Sequence, residues 1–199
     1  ASALIAFNSG VDAGKCISAI IAKPLIPASC ELMDSTSIEA VNKARGNPLP
    51  DANALIIVEV DGETDEIIQR DLKIVEEVAK EQNATTVTPS LDPKVIAKWN
   101  DARKSVLASL SALKPGYSCV SLADDMGVPI SKVPEAVERF QAITRKYNVI
   151  VAVYGHASDG NLHTKMLLKV GDKDEWDRGI AAVDEIFKAS VELGGTVTG

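Results

Sequence analysis

Apolar positions recur along this chain with two periods, and the alternation between them predicts its elements. Residues 2–7 form a short apolar run and predict a strand. Over residues 11–23, Val11, Cys16, Ile17, Ile20 and Ile21 fall at helical spacing, with Asn8 or Ser9 as caps and Pro24 and Pro27 as terminators. Residues 29–34 predict a second strand, closed by Asp34, and 37–44 a short helix. Residues 45–53 are rich in Gly, Pro, Asn and Asp and read as punctuation. A strand follows over 54–60, and Asp61-Gly62 turns the chain. From Thr64 a helix carries Ile67, Ile68, Leu72, Val75 and Val78 on one stripe. Residues 84–88 are β-rich. Pro93 opens the longest helical pattern, over 93–113, which Lys114-Pro115-Gly116 ends. Beyond it come a strand at 117–122, a helix at 133–147, strands at 148–154 and 162–170 around Ser158-Asp159-Gly160-Asn161, and a last helix at 174–193, stopped by Gly194 and Gly195.

That order mixes βαβ pieces with an antiparallel hairpin. It predicts an α+β fold: an antiparallel or mixed sheet with helices mainly on one face. The two halves are phrased alike, as a duplication of ferredoxin-like β-α-β units would be. At 199 residues the chain is one large domain or two small ones. Its net charge of −7 argues against a nucleic-acid partner, whose phosphates call for cations. Aromatic residues at 4% leave little for a base-stacking platform. No stretch reaches the ~20 apolar residues of a membrane span, and the start lacks the basic region of a signal peptide. Cys16, Cys30 and Cys119 are widely spaced, with no C-x-x-C pair, and read as reduced structural thiols. A start at Ala1 and a stop within the glycine-rich 194–199 run suggest a piece of a longer protein.

The chemistry concentrates in one hairpin. The chain has two histidines, His156 and His163, and they bracket Asp159-Gly160. With Asp159-Gly160 as a two-residue turn, Ser158 faces Asn161, Ala157 faces Leu162 and His156 faces His163. Opposed Cβ atoms lie ~4.5–5.5 Å apart. Two imidazoles so placed can share a metal ion at a Zn–N distance of ~2.0–2.1 Å. Alternation puts Val151, Val153, Met166 and Leu168 on the opposite, core-facing side, and Tyr154 and Lys165 on the histidine side. The plainer alternative is a structural hairpin whose histidines pair or meet water. Spacing assigns no third ligand.

Arg103 shares a helix face with Trp99 and suits a bidentate grip on a carboxylate, against the alternative of a solvated arginine between Asp101 and Lys104. Asp124-Asp125 are candidates for metal or acid–base work, with turn or capping chemistry the plainer reading. Glu59-Val60-Asp61-Gly62 is a strand entering a turn. No G-x-G-x-x-G or P-loop is present.

Gly155-His156-Ala157-Ser158-Asp159-Gly160-Asn161-Leu162-His163 resembles the G-H-x-G-D-G-N-x-H motif of the FAD-linked oxidase C-terminal domain, a family that includes glycolate oxidase subunits and FAD-dependent D-lactate and D-2-hydroxyglutarate dehydrogenases. Pro27 to Asp34 is similar to the family's P-x-x-x-E-x-M/L-D strand, Leu55 to Gly62 to its L-x-x-E-x-D/E-G strand, and Asp125 to Pro129 to D-x-x-V-P. The 194–199 run is similar to the glycine-rich segment that precedes Glu-His-Gly in the family. The resemblance covers nearly all of residues 1–199 and implies a C-terminal cap over a flavin. FAD would be held mainly by a domain absent here. A divalent metal such as Zn or Mn would sit on His156 and His163, and Arg103 would clamp the carboxylate of a small 2-hydroxy acid.

In the same resemblance the further metal ligand and the catalytic base are expected just after Gly199, so no catalytic base lies in this chain. Electrons would pass to an acceptor protein, such as an iron–sulfur protein, or to a quinone. A cytoplasmic place, with room for peripheral membrane contact, is implied. Ser158 stands where the family has glycine, and Trp99 and Arg103 are one residue further apart than W-x-x-R. Ala123 replaces the lysine of 2-hydroxyglutarate enzymes, which favours glycolate or lactate. The alternative is a free-standing α+β metal-binding or interaction module without flavin.

Overall fold

The computed structural model describes residues 1–198, and among these the chain forms eight strands and seven α-helices. The first half runs β1 (Ser2–Phe7), α1 (Gly10–Ile21), β2 (Ser29–Asp34), α2 (Ser35–Arg45), β3 (Ala54–Glu59), α3 (Asp65–Glu81) and β4 (Thr86–Ser90). Two helices, α4 (Pro93–Lys104) and α5 (Val106–Leu113), lead to the second half. That half runs β5 (Tyr117–Gly127), α6 (Val133–Tyr147), β6 (Ile150–His156), β7 (Asn161–Lys169), α7 (Lys173–Glu192) and β8 (Thr196–Thr198). Of the glycine-rich end, Gly199 lies outside the described residues.

Side-chain oxygens set the helix starts. Ser9, Asp34, Thr64, Asp92 and Asp172 each accept a backbone N–H from the first turn of α1, α2, α3, α4 and α7. The single helix expected over 93–113 is broken at Ser105, whose hydroxyl donates to the Ala102 carbonyl at 2.7 Å. A serine that bonds back into its own turn competes with the helix ladder.

One sheet holds every strand, in the order β4-β1-β3-β2-β6-β7-β5-β8, and each pairing is antiparallel. The first four strands lie in the ferredoxin-like order β4-β1-β3-β2. The last four repeat it in reverse, as β6-β7-β5-β8, so the expected duplication is present with the second strand of each unit at the join. The join is short: Glu31 pairs with His156, Leu32 with Gly155 and Met33 with Tyr154.

The long helices α1, α3, α6 and α7 pack one face, around Phe7, Ile17, Val75, Phe140 and Ile186. A smaller layer of α2, α4 and α5 covers the other, around Val41, Trp99, Leu110 and Leu55. Helices therefore lie mainly on one face, as expected, with a second layer added. The apolar run of β3 reflects burial on both sides.

The histidine hairpin differs from its expected register. Tyr154, not His156, is the partner of His163. Residues 157–159 form a tight 3-10 turn, and Gly160 follows at φ +71°. The cause is docking of the loop: Ala157 is fully buried, and the Gly160 carbonyl accepts the Val128 N–H at 2.9 Å. The slip is two residues, an even number, so every side chain keeps its face. Val151, Val153, Met166 and Leu168 line the larger core as expected.

Candidate functional site

The join between the two halves brings the candidate residues together. Glu31 on β2 stands opposite His156 on β6, and its Oε1 accepts from His156 Nδ1 at 2.7 Å. Arg103 arrives from α4 and places Nη2 2.6 Å from Glu31 Oε2. That contact is an ion pair off the line of a hydrogen bond, and Arg103 Nε is buried without a partner. The same Nη2 lies 3.3 Å from Nδ1 and 3.4 Å from Nε2 of His156. Both members of the pair are well covered, with the side chains of Arg103 and Glu31 18% and 11% exposed.

His163 on β7 repeats the pattern with another partner. Asp125 on β5 stands opposite it and accepts from its Nδ1 at 2.5 Å. The two imidazole rings lie 5.7 Å apart at 82°, so the expected meeting of the histidines holds despite the changed register. Tyr154 closes the other side of His163, ring to ring at 5.4 Å. An ionised carboxylate can only accept, so Glu31 and Asp125 each call for the proton on Nδ1, and in the neutral imidazole that tautomer leaves the lone pair on Nε2.

Asp124 and Asp125 form neither a turn nor a cap; they lie within β5, which runs on to Gly127 rather than stopping at 122. The strand is irregular between Val120 and Ala123 and again between Ala123 and Asp125. The irregularity lets adjacent aspartates both reach β7: Asp125 meets His163, and Asp124 pairs with Lys165. Lys165 also donates to Ser121 Oγ at 2.6 Å. Burial lowers its pKa from the ordinary lysine value and raises that of Tyr154.

Arg103, Asp124, Asp125, Tyr154, His163 and Lys165 border a cleft of about 340 Å³. A second cleft of about 310 Å³ lies across His156, lined by Cys30, Glu31, Ser158 and Asp159. A larger hollow of about 720 Å³ beside α2 is lined by Asn8, Glu39, Lys43 and Asn53 and has no histidine or cysteine in its wall. Size alone therefore does not mark the site. Two imidazoles whose Nε2 atoms meet no carboxylate, that of His156 lying 3.4 Å from Arg103 Nη2, suit a borderline divalent cation in kind. They are too few on their own: among the described residues no three His, Cys, Asp or Glu side chains are grouped to hold a metal ion. Cys16 and Cys30 are buried thiols, with Cys16 pushed up to about 12 by burial and Cys30 raised further. They are inert as nucleophiles.

Glu31 was not a candidate from spacing, and neither was Lys165. For Glu31 the signal is its setting: an acidic residue between the buried Cys30 and Leu32 in a central strand, where a buried charge requires a partner.

The profile of the family described as FAD linked oxidases, C-terminal domain, matches residues 1–199. The chain is 33% identical over 198 residues to the glycolate oxidase subunit GlcD of Bacillus subtilis (strain 168), covering 98% of this chain and 41% of that protein. It is 30% identical to the glycolate oxidase subunit GlcD of Escherichia coli (strain K12), over 98% of this chain and 38% of that protein. A probable mitochondrial D-lactate dehydrogenase of Danio rerio is 26% identical over 86% of this chain and 34% of its own length. This chain thus spans about two-fifths of the glycolate oxidase subunits it matches. Among solved structures, 4-ethylphenol oxidase from Gulosibacter chungangensis superposes with a TM-score of 0.65 at 12% identity, over 98% of this chain and 44% of that one. That distant likeness shows the shared fold.

Proposed function

The chain belongs to the FAD-linked oxidase C-terminal domain family, and on that footing we propose that it is the substrate- and metal-binding cap of a flavin-dependent 2-hydroxy-acid dehydrogenase, acting on glycolate or D-lactate. The observation that carries the reading is the pair of imidazoles 5.7 Å apart, each with Nδ1 committed to a carboxylate, beside a covered arginine. Arg103 binds the substrate carboxylate: a guanidinium matches it in shape and charge. His156 and His163 offer Nε2 to a divalent ion such as Zn or Mn, whose further ligands come from outside the described residues. Bound FAD would supply the acceptor for the hydride on the substrate's Cα, and an ion held by His156 and His163 would supply the charge that makes the substrate's hydroxyl more acidic.

The small cleft favours a short acid; Ala123, expected to bear on substrate size, is buried in the larger core on the other face of the sheet and is not part of the cleft wall. The electron acceptor in this reading is an iron–sulfur protein or a quinone, met in the cytoplasm or at a membrane surface. Among the described residues no helix is long and apolar enough to cross a membrane.

The test is His156→Ala in the full-length, flavin-loaded protein. The variant loses metal-dependent oxidation of glycolate and D-lactate while keeping its flavin. Wild-type turnover and wild-type metal content in that variant would overturn the ligand assignment.

A further inference from the structure

Glu31 makes two contacts, to which the proposed function gives no joint role. One oxygen accepts from His156 Nδ1 at 2.7 Å, and the other lies 2.6 Å from Arg103 Nη2. It is the ion-pair partner of Arg103 among the described residues, and Arg103 Nε has no hydrogen bond to hold the guanidinium from the other side. The orientation of Arg103 therefore depends on Glu31. So does that of His156, whose side chain is half exposed and which sits at the very end of β6. His163, by contrast, has a carboxylate of its own in Asp125, and no described contact links Asp125 to Arg103.

We propose that Glu31 is a positioning residue that couples the two ends of the substrate site. It turns Nε2 of His156 toward the cation and holds Arg103 for the substrate carboxylate, through the two oxygens of one side chain. The inference rests on the cap reading given above and adds a residue to it. Its physical content is that one carboxylate has two dependants, an imidazole N–H that needs an acceptor and a guanidinium that needs the negative charge. An amide in its place keeps the shape and an acceptor oxygen but carries no charge, so it can serve one dependant and not both.

The experiment uses the full-length, flavin-loaded protein, stripped of metal with a chelator and titrated with Mn²⁺. It reads the Mn²⁺ dissociation constant, and KM and kcat for glycolate and D-lactate at saturating Mn²⁺. Glu31→Ala weakens Mn²⁺ binding by about 10- to 100-fold and raises KM by at least about tenfold, the loss of one charge-assisted contact. Glu31→Gln returns one of the two constants toward wild type and leaves the other impaired. Asp125→Ala weakens Mn²⁺ binding alone. Should Glu31→Ala fail to fold, the isosteric Glu31→Gln and Asp125→Ala carry the comparison.

Unchanged constants in Glu31→Ala, a lowered KM (the mark of a carboxylate that merely competes for Arg103), or recovery of both constants in Glu31→Gln each overturn the proposal. His156→Ala separates the two levels. If it loses Mn²⁺ while Glu31→Ala keeps it, the coupling is wrong and the cap reading stands. If it keeps Mn²⁺, the cap reading fails first.

Discussion

Asp34 shows how much a single residue carries at the join. Its Oδ1 accepts from the Ser37 N–H at 2.9 Å and the Ser37 hydroxyl at 2.7 Å, and its Oδ2 accepts from the Val153 N–H at 2.9 Å. It caps α2 and continues the β2–β6 contact beyond Met33. Burial pushes its carboxyl up to about 6, with those hydrogen bonds pulling the other way. A folded value above the unfolded one means that the native state holds the proton more tightly. The stability this gives is complete below the unfolded value near 3.8 and is lost as the pH rises through about 6.

Asp34→Asn cannot titrate. Urea unfolding at about pH 4 and about pH 7 should show wild type losing ground to this variant by on the order of 3 kcal/mol. A gap that stays constant or moves the other way contradicts the assignment. Arg103→Lys tests the clamp: a point charge replaces a planar fork, and KM for glycolate should rise by about 10- to 100-fold with kcat little changed. An unchanged KM places the substrate carboxylate elsewhere. At this scale the histidines were legible because both of them bracket one Asp-Gly. Glu31 was not, because its partner His156 lies 125 residues away and Arg103 comes from a helix of the connecting segment.

Among the elements, the histidine hairpin is the one whose local signals were read correctly in kind and wrongly in length. Asp-Gly does mark the turn, but Gly160 is used for docking. A Cβ there would lie 1.9 Å from the Val128 carbonyl oxygen, and its φ of +71° is one that alanine and most other side chains rarely adopt. Gly160→Ala should therefore destabilise the fold by at least about 2 kcal/mol. It should also weaken Mn²⁺ binding, since the loop sets His156 and His163 relative to each other. A thermal melt and a metal titration at wild-type values would show that the loop does not hold the pair. The same limit appears in β5, where apolar periodicity stops at 122 and the irregular strand carries on to Gly127. A bulge erases the alternation by which strands are recognised, and it is the bulge that aims two adjacent aspartates at His163 and Lys165.

Across the whole molecule, two ferredoxin-like units share one sheet, and the candidate site stands where they meet. Strand types and helix spacings were enough to suggest the duplication. The join was not legible, because an antiparallel pairing of two second strands leaves no mark in either segment. The second helix layer was hinted at by the uninterrupted apolar run of β3, which a one-sided sheet would not need. This geometry gives each half a share of the site. The first half and its connecting helices supply Glu31 and Arg103, and the second supplies His156, His163 and Asp125.

The most direct test is a crystal structure of the full-length protein with FAD, Mn²⁺ and a bound 2-hydroxy acid, the ion located by its anomalous signal. The expected result is one ion bonded to Nε2 of both His156 and His163, with the acid's carboxylate on Arg103. An ion bound elsewhere, or the acid seated away from Arg103 with the two rings turned apart, would contradict it.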